Sequence, residues 1–261
     1  MIESLLVVLT NAAEGRDADF NDWYTNIHAR DTMRMRGVFG QQRFAFSDEQ
    51  LQDYPEGFPS QYLALYEVFD RKWFTQEHID RAGTPFMIVE DSLDMSRLDD
   101  FYYSPLQFRD KAPRSFERCG VVLEQMQSIP GEEEDLRAWF NDMYFSQRFG
   151  EDGIVTGAFL SFEEYGQMMP FPPAHNHIAI WRIEDQAARN NWRKSNPLAD
   201  CPHIDQGTLA ISCWDVCSDR LIRDDVQYPT AEALAREEAA RARIAQQDSV
   251  IKAATGRIKS G

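Results

Sequence analysis

The hydrophobic positions of the first hundred residues follow two periods, which divide this part of the chain into strands and helices. Apolar or alternating runs predict strands at residues 4–10, 39–47, 62–69 and 98–103. Between the first two runs, Phe20, Trp23, Tyr24 and Ile27 recur at helical spacing and give one apolar face. Residues 71–81 are predicted to form a second helix. The predicted order is therefore strand, helix, strand, strand, helix, strand.

The same order recurs in the second half of the chain, with related residues at matching places. Trp139 stands where the first half has Trp23, and Gly153 stands where it has Gly37. The pattern predicts strands at 117–129, 154–162, 176–184 and 208–216, and helices at 132–149 and 186–195. Because a repeat of this length is a whole small domain, the sequence predicts a fused pair of domains.

The fold class follows from how such a unit must bury its sheet. A βαββαβ unit has an antiparallel sheet with both helices on one face, so the other face needs a cover. A second unit supplies it, and we predict an α+β fold in which two ferredoxin-like units, residues 1–112 and 113–222, pack as an intramolecular α/β barrel. Residues 223–261 are rich in Ala, Glu and Arg with the period of neither unit, and are predicted to form a helical arm.

Charge and composition narrow the class of partner. The net charge of −16 opposes binding to nucleic acid or to an anionic membrane surface, because both are negatively charged. The 4 cysteines show neither metal-site spacing nor a disulfide-rich pattern. The N-terminal apolar run lacks the features of a signal peptide and is too short to span a membrane. We therefore expect a cytoplasmic protein that binds a hydrophobic small molecule, with two chains pairing as a homodimer.

A motif on the first predicted helix resembles a known superfamily. It runs Trp23-Tyr-Thr-Asn-Ile-His28-Ala-Arg-Asp31, and Gly37-Val38 follows at a strand start. This is similar to the dimeric α/β-barrel superfamily, above all to its EthD-like and stress-responsive branches. The resemblance covers residues 3–105 and, as a diverged copy, 117–217. It implies a ferredoxin-like barrel, in a superfamily of cofactor-free monooxygenases, cyclases, lyases, isomerases, haem-degrading enzymes and proteins without established catalysis.

His28 is the first candidate for chemistry. It falls on the flank of the apolar helical face, and Asp31 lies one turn further on, within reach of its ring. An imidazole oriented by a carboxylate at the edge of an aromatic pocket suits acid–base catalysis near neutral pH. The alternative is a hydrogen-bonded histidine that fixes the helix to the sheet. Further candidates are phenol donors and a second acid–base group, namely Tyr24, Tyr62, Tyr66 and His78.

Other side chains are expected to contact the substrate: Trp23, Phe44, Tyr103, Tyr144, Phe171 and His177. Phe171 lies in a stiff Pro-rich loop, which is either a lid over a ligand or a packing surface. His175 and His177 stand two apart on a predicted strand and can face one ion, yet no signature fixes a third ligand. We therefore predict no metal, and expect His177 to reach into a second cavity beside Tyr144.

The predicted function is cofactor-independent acid–base catalysis on a hydrophobic small molecule of aromatic or polyketide-like type, as a lyase, isomerase or dehydratase. His28 moves the proton, Asp31 orients it, and a tyrosine polarises a substrate oxygen. No cofactor is predicted, because the chain has no Gly-rich phosphate loop and no nucleophile-elbow motif. Two alternatives stay open: a cofactor-free monooxygenase, and a non-catalytic ligand-binding or stress-response protein. A polar cavity beside His28 indicates an enzyme, whereas solid packing indicates a structural module.

Overall fold

A computed structural model describes residues 2–111, 118–193 and 197–258 of the chain. Its strands are β1 (Ser4–Thr10), β2 (Val38–Phe46), β3 (Tyr62–Val68), β4 (Asp99–Asp110), β5 (Gly120–Met126), β6 (Ile154–Phe162), β7 (His177–Ile183), β8 (Ala210–Val216) and β9 (Leu221–Ile222). Its α-helices are α1 (Asp17–Trp23), α2 (Ala29–Met33), α3 (Arg71–Arg81), α4 (Glu133–Trp139), α5 (Phe145–Phe149), α6 (Gln186–Arg193), α7 (Arg223–Gln227) and α8 (Ala231–Ile258). A π-helical turn at Tyr24–His28 joins α1 to α2, and another at Phe140–Tyr144 joins α4 to α5.

Strands β1 to β8 form one closed antiparallel barrel. The strand order is β3-β1-β4-β6-β7-β5-β8-β2, and β2 pairs again with β3 to close the ring. The first four strands join the last four through the pairs β4–β6 and β2–β8, while β9 pairs with Gly40 and Gln41 near the start of β2. The barrel confirms the predicted α+β fold of ferredoxin-like type. Its two halves meet edge to edge as one continuous sheet.

Strand β4 is longer than its sequence pattern indicates. The prediction ended it at residue 103, whereas the strand continues to Asp110. Its far half pairs with β6 instead of β1, from Ser104 opposite Ser161 onward. The second half of β4 was not predicted for two reasons. Its pairing with β6 is a contact distant in sequence, and its residues show no clear alternation of apolar and polar side chains. The predicted boundary between residues 112 and 113 lies outside the described residues, so the division into two units stays a prediction.

The strands place side chains on two separate faces. Alternate residues point into the barrel lumen or out toward the helices. The lumen core contains Val7, Leu9, Phe44, Leu63, Phe101, Leu123, Ile180 and Trp214. One outer core packs around Trp23, Tyr24, Ile27 and Tyr66 beneath α1, and the other around Phe140, Tyr144, Trp181 and Trp192 beneath α4 and α5. Small molecules can therefore bind in the lumen or between sheet and helices, and these places do not coincide.

The predicted C-terminal helix is present as α8, and charged side chains fasten it to α2. The carboxylate of Glu237 accepts hydrogen bonds from Arg30 at 2.7 Å, from Arg34 at 2.8 Å and from Arg241 at 3.1 Å. Burial alone raises the pKa of Glu237, but the bonds from Arg34 and Arg30 outweigh it and lower the pKa to about 2. The arm thus supports the helix that follows His28. None of the described helices, α8 included, has the length and hydropathy to cross a membrane.

Candidate active site

A π-helical turn places His28 against the sheet. In an α-helix, residues five apart are about 140° apart around the axis, so His28 and Trp23 would face different sides. In the turn at Tyr24–His28 the Ala29 N–H bonds to the Tyr24 carbonyl, five residues back, which brings such residues close to one line. The His28 ring lies 4.9 Å from the Trp23 ring and 4.8 Å from the Tyr24 ring. The His28 ring therefore lies against Trp23 and Tyr24 at the edge of the apolar helical face, and its side chain is only partly buried.

A cavity of about 140 Å³ borders His28 between the helices and the sheet. Its walls are mostly apolar, and its polar lining consists of Thr10, Tyr24, His28, Tyr66, His78 and Asp100. The segment 82–98, which we call the cover segment, closes it with side chains that include Met87 and Leu93. Trp23 Nε1 donates a hydrogen bond to the Ile88 carbonyl at 2.9 Å and so ties the cover segment to α1. His28 thus borders a partly polar cavity instead of solid packing.

The two imidazoles at this cavity are neutral. The ring centroids of His28 and His78 lie 6.4 Å apart, and the Nδ1 atom of each is buried without a hydrogen-bond partner. Burial, together with the nearby His78 and Arg43, lowers the pKa of His28 to about 3, and burial lowers the pKa of His78 to about 4. Both rings are therefore suited to hydrogen bonding as neutral groups, and the proton-carrying role of His28 stays a prediction.

Asp31 does not orient His28. Its carboxylate accepts hydrogen bonds from Arg34 at 2.9 Å and from Arg241 of helix α8, while the second oxygen is buried without a partner. The prediction assumed a regular helix, in which Asp31 would follow His28 by one turn on the same side. With the π-helical turn in between, the His28 ring lies against Trp23 and Tyr24, and the Asp31 carboxylate contacts Arg34 and, from the arm, Arg241. Asp31 therefore serves the attachment of α8.

Two of the three predicted tyrosines meet at the cavity. The hydroxyls of Tyr24 and Tyr66 lie 2.9 Å apart in one hydrogen bond, which leaves one of their two hydrogens available to a ligand. Burial raises the pKa of Tyr24 to about 12 and that of Tyr66 well above 10, so both stay protonated. Tyr62 lies elsewhere, near the surface. Its hydroxyl donates to Asp17 at 3.1 Å and accepts from Asn21 at 2.8 Å.

Asp100 is the site residue that the sequence analysis missed. It lies on β4 opposite Val8 of β1, and 8% of its surface is exposed. Its Oδ1 atom has no hydrogen-bond partner, and burial raises the pKa of the carboxyl to about 7. The available signal was strand periodicity, since Asp100 shares a face with the buried Tyr102. Because the neighbouring Asp99 is exposed, the two aspartates together resemble a polar turn in the sequence.

Most of the predicted substrate contacts lie away from this cavity. Trp23 lines it. Phe44 and Tyr103 belong to the barrel lumen, because they point to the opposite face of the sheet. Phe171 is half exposed, with its ring 5.9 Å from that of the lumen residue Phe101, so it packs at the lumen and does not form a lid over His28.

The second helix layer holds a hydrogen-bonded network around a buried carboxylate. Tyr144, which stands in the place of His28, donates its hydroxyl hydrogen to Glu124. Trp181 Nε1 donates to the same carboxylate at 2.8 Å, and Arg148 Nε donates to the Tyr144 hydroxyl at 3.2 Å. These polar groups have protein partners, in contrast to His28, His78 and Asp100.

His177 also bonds to protein neighbours and does not reach Tyr144. Its Nδ1 lies 2.8 Å from Asn176 Oδ1, and Arg137 Nε approaches its Nε2 at 3.5 Å. Burial, with a contribution from Arg137, lowers its pKa to about 4. His175 Nε2 instead lies 3.0 Å from the Thr208 carbonyl. Within the described residues, no group of three or more His, Cys, Asp or Glu side chains is arranged to hold a metal ion.

Comparison with known proteins supports the fold alone. No protein-family model and no curated protein matches the chain. Among solved structures, a candidate monooxygenase from Fusobacterium nucleatum superposes with a TM-score of 0.59 at 11% identity, over 83% of this chain and 93% of that one. An anthrone oxidase-like protein gives 0.56 at 11% identity, over 84% and 92%. A candidate monooxygenase from Lactobacillus acidophilus gives 0.53 at 10% identity, over 85% and 97%.

Proposed function

We propose that the cavity beside His28 binds a hydrophobic molecule about one ring in size and moves a proton on it, with Asp100 as the acid–base group. The neutral imidazoles of His28 and His78 and the Tyr24–Tyr66 hydroxyl pair hold the oxygen on which negative charge develops. The reaction class is a cofactor-independent isomerase or lyase. The sequence-based expectation assigned the proton transfer to His28, whereas this proposal assigns it to Asp100.

The observation that supports this proposal is the group of unpaired polar atoms at one small apolar cavity. His28, His78 and Asp100 each have a buried side-chain atom without a hydrogen-bond partner. Leaving such an atom unpaired costs about 1–3 kcal/mol, so several at one place are a substantial cost to folding. A bound ligand that supplies partners recovers that cost. Clustering of perturbed groups in a cleft is typical of active sites.

The pKa values divide the roles. A carboxyl whose pKa is about 7 is ionised in part at neutral pH and can both accept and return a proton. Imidazoles with pKa values of about 3 and 4 stay neutral and donate N–H hydrogen bonds. A neutral imidazole and a phenol are both suitable donors to a developing enolate. Asp100 is therefore the base, and the other groups stabilise the anion.

The volume limits the substrate. Cavities of about 150 Å³ in protein cores can hold benzene, and this one measures about 140 Å³. A larger polyketide-like molecule requires the cover segment to move outward. The preferred substrate is accordingly a single-ring compound with one oxygen, such as an enolisable ketone.

The proposed step is balanced without a further reactant. The Asp100 carboxylate removes a proton from the carbon next to the carbonyl group, and the C–H electron pair moves into a C=C bond. The carbonyl electrons move onto oxygen, where His28 or His78 donates a hydrogen bond. Return of the proton from Asp100 to another carbon completes an isomerisation, and loss of a leaving group instead completes a lyase reaction.

The test is proton exchange in D₂O. The protein is incubated with single-ring enolisable ketones, such as phenylacetone and cyclohex-2-enone, and deuterium incorporation is followed by mass spectrometry. We expect accelerated exchange that rises with pH and levels off above about 7 as Asp100 ionises. Asp100→Asn is expected to lower the exchange rate by about 10²-fold or more.

Asp99→Asn is the matched control, since it changes the adjacent carboxyl, which is exposed and lies on the other face of β4. Equal exchange by both variants would show that Asp100 is not the base. Binding of the ketones without exchange by the unaltered protein would instead support a non-catalytic ligand-binding role.

A cofactor-free monooxygenase is the second candidate. It is favoured by the names of two structural neighbours, and it begins with the same removal of a substrate proton. The resulting anion then reacts with O₂ instead of being protonated again. Oxygen uptake with single-ring phenols, measured with an oxygen electrode and abolished by Asp100→Asn, distinguishes it from an isomerase.

We further propose that the chain is a fusion of two related units in which the first kept the reactive cavity. Each half has a strand, a helix with a π-helical turn, two strands, a helix and a strand. At the cavity of the first half, one buried atom each of His28, His78 and Asp100 lacks a partner. In the second half, Glu124 bonds to Tyr144 and Trp181. A Tyr144→His variant that gains no exchange activity agrees with this division, and gain of activity argues against it.

A further inference from the structure

The barrel lumen contains a second and larger cavity, of about 550 Å³. Its walls are mostly apolar side chains of the strands, among them Leu5, Leu65, Leu160 and Ile180. Small closed barrels either fill their interior with side chains or hold one small ligand. In this barrel the small side chain of Ala158 leaves part of the lumen unfilled. The volume is within the range of about 300–1,000 Å³ that is typical of ligand sites.

The charged groups on the lining of this cavity balance one another. Among the described residues that line it, two are acidic, Glu67 and Asp110, and two are basic, Arg182 and Arg220. The Glu67 carboxylate accepts two hydrogen bonds from Arg220, at 3.1 and 2.6 Å. Burial lowers the pKa of Arg182 to about 10, and the nearby Glu67 carboxylate acts against this fall. The lining therefore presents no surplus charge for a ligand to neutralise.

A balanced lining favours a neutral ligand over an ion of either sign. A buried ion loses its hydration, and this cost is recovered only by an opposite charge placed beside it. An added anion would compete with Glu67 for Arg220, and an added cation would compete with Arg220 for Glu67. A neutral apolar molecule displaces water from Leu65, Leu160 and Ile180 without such competition.

The volume of the cavity sets the size of that molecule. A core cavity of about 150 Å³ can hold one benzene ring. The lumen cavity, at about 550 Å³, therefore has space for roughly two to four rings. The His28 cavity, at about 140 Å³, is too small for such a molecule, so the two cavities select different ligands.

The cavity reaches the surface along β4. The register of β4 against β6 shifts between Pro105 and Gln107, which interrupts their pairing where both residues line the cavity. Phe108, also on the lining, is 54% exposed. A flat apolar molecule can thus enter the lumen beside exposed apolar surface.

We propose that the barrel lumen binds a neutral lipophilic molecule of roughly two to four rings. Its rings lie along Leu65, Leu160 and Ile180, and the paired charges of the lining stay bonded to each other. This site is separate from the His28 cavity, since the two occupy opposite faces of the sheet. The inference does not depend on the proposed proton transfer.

The experiment is fluorescence titration of the full chain with N-phenyl-1-naphthylamine, a neutral dye whose emission rises in apolar surroundings. The comparison is 8-anilinonaphthalene-1-sulfonate, which has the same rings and one negative charge. We expect the neutral dye to bind at least ~10-fold more tightly, because the lining offers no surplus positive charge to offset the lost hydration of the sulfonate. Equal or tighter binding of the sulfonate would overturn the proposal.

A variant that fills the lumen locates the bound dye. Ala158→Leu places a larger side chain in the cavity and is expected to weaken binding of the neutral dye by about 10-fold or more. Ala235→Leu adds the same atoms on the exposed surface of α8 and is expected to leave binding unchanged. Circular dichroism verifies that both variants fold. Dye binding that survives in folded Ala158→Leu would place the ligand elsewhere and contradict the proposal.

Glu67→Gln tests the charge balance, and its result does not depend on whether Ala158→Leu folds. The substitution removes one negative charge from the lining. The affinity for the sulfonate dye, relative to that for the neutral dye, is therefore expected to rise by roughly 10-fold. An unchanged ratio of the two affinities would contradict the role given to the balanced charges.

Asp100→Asn separates this inference from the proposed function. Binding of the neutral dye is expected to be unchanged in that variant, although the proposed exchange activity is lost. Loss of dye binding in Asp100→Asn would contradict a separate lumen site. Tight dye binding by a protein that exchanges no ketone proton would support the lumen site and refute only the proposed function.

Discussion

Replacing Asp100 with asparagine is expected to stabilise the protein at alkaline pH and to remove the proposed proton-exchange activity. The carboxyl has a pKa of about 7 in the folded chain, against the ordinary value of 3.8 for aspartate. Burial raises this pKa because it disfavours the charged form. Above pH 7 the folded protein must therefore contain a buried carboxylate without a cationic partner, which asparagine avoids.

The sign and size of this stability effect follow from the linkage between proton binding and folding. A raised folded pKa gives stability that is fully present below the unfolded pKa and is lost as pH rises through the folded one. The rise of the pKa from 3.8 to about 7 means that the unaltered protein loses about 4 kcal/mol of its free energy of unfolding between roughly pH 4 and pH 7. About 2 kcal/mol of that loss falls between pH 5.5 and 8.5, a window that avoids the isoelectric region near 4.7.

The assay is urea unfolding, followed by tryptophan fluorescence, of the unaltered protein and of Asp100→Asn at several pH values in this window. The difference in free energy of unfolding between the two proteins is expected to move by about 2 kcal/mol in favour of Asp100→Asn as pH rises. Asp99→Asn, on the exposed neighbour, is expected to show a much smaller change. A difference that stays constant with pH refutes the assignment of a raised pKa to Asp100, and with it the proposed base.

Two further predictions concern structure. Glu237→Gln is expected to lower the free energy of unfolding by about 3 kcal/mol at pH 7, because a buried ion cluster loses one of its two anions, whereas Glu238→Gln on the exposed side of α8 has little effect. The folded pKa of Glu237 is about 2, so this stabilisation is present above about pH 4.5 and is lost as pH falls toward 2; urea unfolding at pH 7 and pH 3 checks both. Gly37→Ala is expected to cost more than about 2 kcal/mol, since φ is +89° and the added carbon would lie 2.2 Å from the Asp70 carbonyl oxygen. Gly15 has a similarly positive φ but open space around it, so Gly15→Ala introduces backbone strain without a clash. Thermal unfolding of both variants separates the two effects, and equal losses of stability would contradict the clash.

Local periodicity was sufficient to predict most of the elements. The strand Ser4–Thr10 and the helix Arg71–Arg81 have the predicted bounds. The strand is a continuous apolar run, and the helix begins after Asp70, whose side chain accepts a hydrogen bond from the Trp73 N–H. The barrel itself followed from the need of a βαββαβ sheet to cover its free face. Strand β4 exceeded its prediction, since its second half is paired across the two halves of the barrel.

The candidate site was only partly predictable. Tyr24, His28, Tyr66 and His78 were identified from helix and strand spacing, and the fold brings them to one cavity. Asp31 was assigned to His28 on the assumption of a regular helix, which the π-helical turn replaces. That turn is not visible in the sequence pattern, since it differs from an α-helix by a single residue per turn.

The sequence by itself determined the succession of strands and helices, the alternation of faces and the residues able to carry chemistry, because these depend on neighbours in the chain. Only the tertiary structure decided which of those residues are paired. One of the two arginines that bond to Asp31 is Arg241 of helix α8, more than 200 residues away. The cavity beside Asp100 is enclosed by the cover segment and by side chains of α1 and the π-helical turn. Burial and pairing set the pKa values, and both arise from contacts distant in sequence. For that reason the same sequence pattern that indicated His28 as the base left Asp100 unnoticed.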